Sequence, residues 1–215
     1  MIHYYLIHGI DPSRKPFMID QFNKFGISKE DVQWILYPNK SDPLPVGICT
    51  KPDLPKGHQA CTYKHYLILQ DIVQNQYPFA VIMEDNIEFR GNVPYALSRY
   101  LEDLPPEWDC LFDSDYFGLK HSGEIIPSNL VYKQDNNNNA SKGAHFIFLT
   151  LSAATKLYDN FLPFHEGSDH MYNYLFKKLN MNVYWAEPPN VHKIERGSTW
   201  LDAPKPKKKF IWSLH

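Results

Sequence analysis

Two short acidic runs stand directly behind apolar stretches, and their residue types suit metal-assisted chemistry. Phe79-Ala80-Val81-Ile82-Met83 leads into Glu84-Asp85-Asn86, and Asp109-Cys110-Leu111-Phe112 leads into Asp113-Ser114-Asp115. Acidic side chains at the end of a buried strand are costly unless they face a cleft or a cation. Their oxygens are hard ligands suited to Mg²⁺ or Mn²⁺, and such an ion offsets charge on a departing diphosphate. A turn or a helix cap is the plainer use of such a triplet. Single residues extend the set. Arg14, in the first loop, offers a guanidinium to a phosphate, and His192, behind the last apolar run, offers an imidazole suited to Mn²⁺. Asp169 falls in the first turn of a helix, where the dipole stabilises a carboxylate without any catalytic role. His65 lies on an apolar helical stripe, the usual setting of a satisfied core histidine.

Several chemistries are excluded. The chain has no Gly-x-x-x-x-Gly-Lys, no Gly-x-Gly-x-x-Gly and no Gly-x-Ser-x-Gly, which removes the phosphate-loop, dinucleotide and hydrolase-elbow readings. Asp113-x-Asp115 is similar to the start of haloacid dehalogenase-type phosphatases, but Tyr116-Phe117 follow where those need Thr or Val. The run therefore reads as a loop lining a cleft, against sugar or acceptor.

The elements that must position these residues alternate along the chain. Tyr4 to His8 and Gln33 to Tyr37 are β-rich, with a helical stretch between them marked by Phe17, Phe22 and Phe25. Cys61, His65, Ile68 and Ile72, widened by Leu69 and Val73, predict a helix from Gly57 to Gln76 that Tyr77-Pro78 stops. Phe79 to Met83 is apolar without a break, as in a strand buried on both faces. A helix over 94–104, strands over 109–112 and 144–149, helices over 153–162 and 169–179, and a last strand over 182–186 complete the pattern. Ser152 and Ser168 are the expected N-caps. Such alternation predicts an α/β fold: one domain with a mostly parallel central sheet and helices on both faces. The prolines between Pro38 and Pro55 predict a long loop, and Asn136 to Asn139 a mobile surface loop.

The 215 residues suffice for one full core. A net charge of −2 argues against a nucleic-acid partner. Three dispersed cysteines without a Cys-x-x-Cys exclude a disulfide scaffold and a cysteine-rich zinc site, and fit a reducing compartment. Neither a signal peptide nor a membrane span is apparent, so a cytoplasmic location is expected. The expected domain covers 1–203, followed by a basic tail over 204–215.

Taken in order, the motifs resemble glycosyltransferase family 25, the lipopolysaccharide and procollagen galactosyltransferase-like enzymes. Gly57-His58-Gln59-Ala60-Cys61-Thr62-Tyr63-Lys64-His65, a helix, then the strand ending Glu84-Asp85-Asn86 is similar to the family's Gly-Glu-x-Gly-Cys-x-x-Ser-His and Glu-Asp-Asp. Tyr5-Leu6-Ile7-His8 with Arg14, Trp108-Asp109, Gly143-Ala144-His145-Phe146-Ile147-Phe148, Ser168-Asp169 and Pro188-Pro189-Asn190-Val191 match its remaining blocks. The resemblance implies a GT-A-type fold and an inverting transfer of galactose or another hexose from a UDP-sugar to a hydroxyl of a glycan or collagen-like protein. It places Arg14, His65, Glu84, Asp85 and Asn86 against the nucleotide-sugar, Asp85, Asn86 and His192 on Mn²⁺ (or Mg²⁺), and Asp169 as the base. Asn86 stands where the family has Asp, His58 where it has Glu and Lys64 where it has Ser. A neutral amide is a weaker ligand than a carboxylate, so the alternative is a non-catalytic descendant that binds nucleotide or glycan.

Overall fold

A computed structural model describes residues 2–115, 118–138 and 140–194; the expected basic tail lies outside them. The strands are β1 (Ile2–Ile7), β2 (Val32–Ile35), β3 (Phe79–Glu84), β4 (Ile87–Phe89), β5 (Cys110–Phe112), β6 (Val131–Lys133), β7 (Phe146–Thr150), β8 (Val183–Ala186) and β9 (Val191–Lys193). The helices are α1 (Arg14–Phe25), α2 (Lys56–Asn75), α3 (Val93–Asp103), α4 (Leu151–Phe161) and α5 (Ser168–Lys178).

Seven strands form one sheet in the order β2-β1-β3-β7-β5-β8-β6. β1 pairs parallel with β2 and β3, and β5 with β8, whereas β7 runs against β3 and β5, and β6 against β8. Five strands therefore share one direction and two oppose it: the sheet is mostly parallel, as expected, with β6 and β7 reversed. Period-two alternation sorts the side chains between two cores. Tyr5, Ile7, Ile82 and Phe112 face α2, α4 and α5; Tyr4, Leu6, Val81 and Leu111 face α1 and α3.

The long helix α2 follows from its sequence. Ile68, Leu69 and Ile72 are fully buried on its apolar stripe, and each contributes roughly 1.5–3 kcal/mol by leaving water. Gln76 ends it in the left-handed conformation (φ 55°), its N–H bonding the carbonyls of Ile72 and Val73, and Pro78 prevents any continuation.

Three details differ from the sequence reading. The N-caps are Thr150, whose hydroxyl accepts from the Ala153 N–H, and Gly167; Ser152 and Ser168 already lie inside α4 and α5. Asn136 is anchored, its Nδ2 donating to the carbonyls of Met181 at 2.5 Å and Phe176 at 3.3 Å. Finally, β4 and β9 form a separate antiparallel ribbon, with Glu88 opposite His192, that the alternation did not reveal.

Candidate active site

β1, β3, β5 and β8 end along one edge of the sheet, and α1, α2, α3 and α5, which lead from that edge or back towards the far one, begin there. Ligands of open α/β sheets bind beyond such carboxyl ends. The topology thereby gathers His8, Arg14, Glu84, Asp85, Asp113 and Asp169 on one side of the molecule.

Asp85 is buried and meets three protein donors. Its Oδ1 accepts from Arg14 Nη1 at 2.6 Å, and its Oδ2 lies 2.6 Å from His8 Nδ1 and accepts from the Gly9 N–H at 2.8 Å. Arg14 and Asp85 are each 2% exposed. Arg14 opens α1 instead of lying in a loop, and the ion pair turns its guanidinium inwards, away from the phosphate expected for it. Likewise, both Asp85 oxygens accept from protein donors. Lys64 holds the same loop from α2, its Nζ donating to the His8 carbonyl at 2.7 Å. Burial pulls the Lys64 ammonium down to about 8.

Glu84 points to the opposite face. His65 Nε2 lies 3.6 Å from its Oε1, His145 Nδ1 3.6 Å from its Oε2, and Cys61 Sγ 3.7 Å from Oε1. Burial works to raise this carboxyl, and the two imidazoles outweigh it, holding it well below the usual carboxylate range. His65 is fully buried, with Nδ1 3.2 Å from the Tyr172 hydroxyl. It therefore lacks the surface that contact with a nucleotide-sugar would need.

On the other side of the edge, Asp113 accepts from the Asn190 N–H at 2.5 Å and from the Tyr100 hydroxyl at 3.2 Å. Burial pushes its carboxyl up to about 7 despite these bonds. Asp115 is more open. Its Oδ2 lies 2.5 Å from His192 Nδ1 and accepts from Arg90 Nη2 at 2.8 Å, and its Oδ1 accepts from the Lys193 N–H at 3.2 Å. Burial would raise the Asp115 carboxyl; His192, Lys193 and Arg90 together lower it. Thus His192 meets Asp115 instead of Asp85. An Asp-x-Asp behind a strand plus a histidine behind the last one was the available signal for this pair. Asn86 carries a buried Oδ1 with no hydrogen-bond partner, while its carbonyl accepts from the Ile194 N–H at 2.9 Å.

Asp169 sits half-buried in the first turn of α5, its Oδ1 accepting from the His170 N–H at 2.9 Å. A Cβ placed on Gly167 would come within 3.5 Å of Asp169 Oδ1 and 3.7 Å of His58 Nδ1, so these two side chains share one corner of the rim.

Glycosyltransferase family 25 (LPS biosynthesis protein), taken as a sequence profile, matches residues 2–172. The chain belongs to this family. Its α/β sheet is the GT-A-type architecture that membership in glycosyltransferase family 25 implies. No curated protein sequence matches the chain. Among solved structures, A197 from STIV is similar in fold, with 13% identity over 86% of this chain and 81% of that one and a TM-score of 0.53. A glycosyltransferase involved in glycosylation of the major capsid of PBCV-1 aligns at 10% identity over 92% of this chain and 94% of its own, with a TM-score of 0.48. A mutant Drosophila β-1,4-galactosyltransferase 7 in complex with manganese, UDP-Gal and xylobiose aligns at 7% identity over 87% and 66%, with a TM-score of 0.45. No helix among the described residues is long and apolar enough to cross a membrane.

Proposed function

We propose that this glycosyltransferase moves galactose or another hexose from a UDP-sugar to an acceptor hydroxyl on a glycan or collagen-like protein, with inversion. The observation that supports this reading most is the gathering of the family's motif residues along one carboxyl edge of the sheet. In an inverting displacement the acceptor oxygen bonds to the anomeric carbon as the bond to the diphosphate oxygen breaks. Asp169, at the open rim, accepts the acceptor's proton. Arg90, half exposed against Asp115, brings positive charge towards the leaving diphosphate. Exposed Ile10, Leu36 and Tyr37, which emerge beyond β1 and β2, offer an apolar face to the base.

Asp85 and Arg14 act in this reading by fixing the loop after β1, not by touching the donor. A divalent cation fits a different donor set from the one expected. Asp115 and His192 are both partly exposed, with side chains 24% and 43% accessible. Carboxylate oxygen and imidazole nitrogen suit Mn²⁺, and the unpartnered Asn86 oxygen adds a neutral ligand of the kind Mn²⁺ or Mg²⁺ accepts. When bound there, the ion would neutralise charge on the diphosphate.

A screen of UDP-sugars for slow donor hydrolysis, paired with thermal-shift titration by UDP, tests the reading without knowledge of the acceptor. Hydrolysis of a UDP-hexose, and a rise in Tm with UDP in Mn²⁺ but not in EDTA, is the expected result. Stabilisation by UDP with no turnover of any donor would instead establish a nucleotide-binding descendant, and no response to UDP at all would remove both.

A further inference from the structure

The contacts around Glu84 are unusual in length. Three partners surround it at 3.6–3.7 Å: Cys61 Sγ, His65 Nε2 and His145 Nδ1. For the two nitrogens that exceeds normal nitrogen–oxygen hydrogen bonds, whose lengths run to about 3.2 Å; the thiol contact has the length of a sulfur hydrogen bond. The three lengths do match another geometry. Ligands held at about 2.0–2.3 Å around a tetrahedral zinc ion lie roughly 3.3–3.8 Å from one another. The donor atoms of Cys61, His65 and Glu84 all fall within 4.8 Å of each other.

We infer that Cys61, His65 and Glu84 form a structural site for a transition-metal dication, with Zn²⁺ as the best match, on the face of the sheet opposite the Asp115–His192 pair; His145 flanks it on the other Glu84 oxygen. The scaffold is pre-arranged for it. Cys61 and His65 stand four residues apart on α2 and so share one helix face. Glu84 and His145 come from adjoining antiparallel strands, linked by the Glu84 N–H to the His145 carbonyl at 3.0 Å. His65 Nε2 is buried without a hydrogen-bond partner and points at Glu84. Its Nδ1 is occupied by the Tyr172 hydroxyl at 3.2 Å, the outer contact that fixes a metal-binding tautomer. Charge also balances: a dication, one thiolate, one carboxylate and a neutral imidazole sum to zero, which a dry interior favours. Burial and Glu84 keep the metal-free Cys61 thiol well above its ordinary pKa; a bound dication reverses this, and uptake releases the thiol proton. Cys61 and His65 belong to the chain's Gly57–His65 motif, for which the proposed donor site has no use.

The test is metal content and spectroscopy of the full chain, independent of transferase activity. Purified under reducing conditions, the protein should carry about one zinc per chain. Cobalt substituted into it should show thiolate-to-metal charge-transfer absorption. Cys61→Ser should abolish that absorption and weaken zinc binding at least about tenfold, while Cys49→Ser should leave both unchanged. Should Cys61→Ser fail to fold, the wild-type cobalt spectrum, its loss on adding zinc, and a zinc-dependent rise in Tm still decide the matter. No thiolate absorption in the wild type, or absorption that survives in Cys61→Ser, would overturn the inference. A zinc-loaded chain that transfers no sugar from any UDP-sugar would leave it standing, since the two readings rest on different faces of the sheet.

Discussion

Glu84 and Asp85 are neighbours in sequence and carry the same charge, yet they sit in opposite electrostatic situations. The pleat of β3 sends them to different faces. Asp85 meets three donors at 2.6–2.8 Å and becomes a closed ionic lock on the first loop. Glu84 meets two imidazoles and a thiol at longer range, and with Cys61 and His65 it forms a cluster of metal-binding size. A buried carboxylate is stabilised either by saturating it with protein donors or by leaving room for an ion, and this strand end uses both solutions side by side.

The sharpest way to break the comparison is to remove the lock. Asp85→Ala removes the buried carboxylate that meets Arg14 at 2.6 Å, leaving the longer 3.5 Å contact with Asp11, and should lower stability by about 3–5 kcal/mol, read by urea unfolding at neutral pH. Glu84→Gln, which removes a charge with only long contacts, should cost no more than about 1–3 kcal/mol in metal-free protein. The reverse order would show that the short bonds of Asp85 contribute little.

Asp113 gives a pH-dependent contrast to both. Its carboxyl is raised from 3.8 to about 7, so between those values the folded chain keeps a proton that the unfolded chain has released. Its contribution is complete below about pH 4 and is lost as pH rises through 7, on the order of 4 kcal/mol in all. Glu84 and Asp115, with lowered carboxyls, act in the other direction. Unfolding free energies of the wild type and Asp113→Asn from pH 4 to 8 isolate the term: the variant should gain on the wild type steadily as pH rises. Parallel curves would mean Asp113 is ionised in the fold at all these pH values.

The smallest stability effects belong to the open side of the edge. His192→Ala removes a half-exposed partner of Asp115 and should change stability by less than about 1 kcal/mol, yet weaken UDP binding in Mn²⁺ about tenfold or more. Asn86→Asp should strengthen the same binding, because a carboxylate replaces an amide of nearly equal size. Calorimetry of both variants, with and without EDTA, measures this. Unchanged affinity in both would remove the cation from this corner.

Much of the fold was legible in local pattern. The stripe through Cys61, His65, Ile68 and Ile72 announced α2, Tyr77-Pro78 its end, and the apolar run 79–83 the central strand. The acidic triplets were correctly marked as the ends of strands. Their partners were not legible. β4 and β9 are three residues each and lie about a hundred residues apart, so no periodicity betrays their pairing, and it is this ribbon that carries His192 to Asp115. The direction of β7 was equally hidden, since reversed and parallel buried strands share one composition. Arg14 read as a loop cation because nothing near it in sequence shows that Asp85, seventy-one residues on, would bury it.

Local spacing and polarity, which act over a few residues, were enough for the helices and the longer strands, and for charged residues gathering where those strands end; the three-residue strands β4, β6 and β9 were not among them. Only the tertiary structure decided which charge each of those residues meets. That choice depends on strand order, on which face each side chain of the pleat points to, and on residues brought within hydrogen-bond distance from far along the chain.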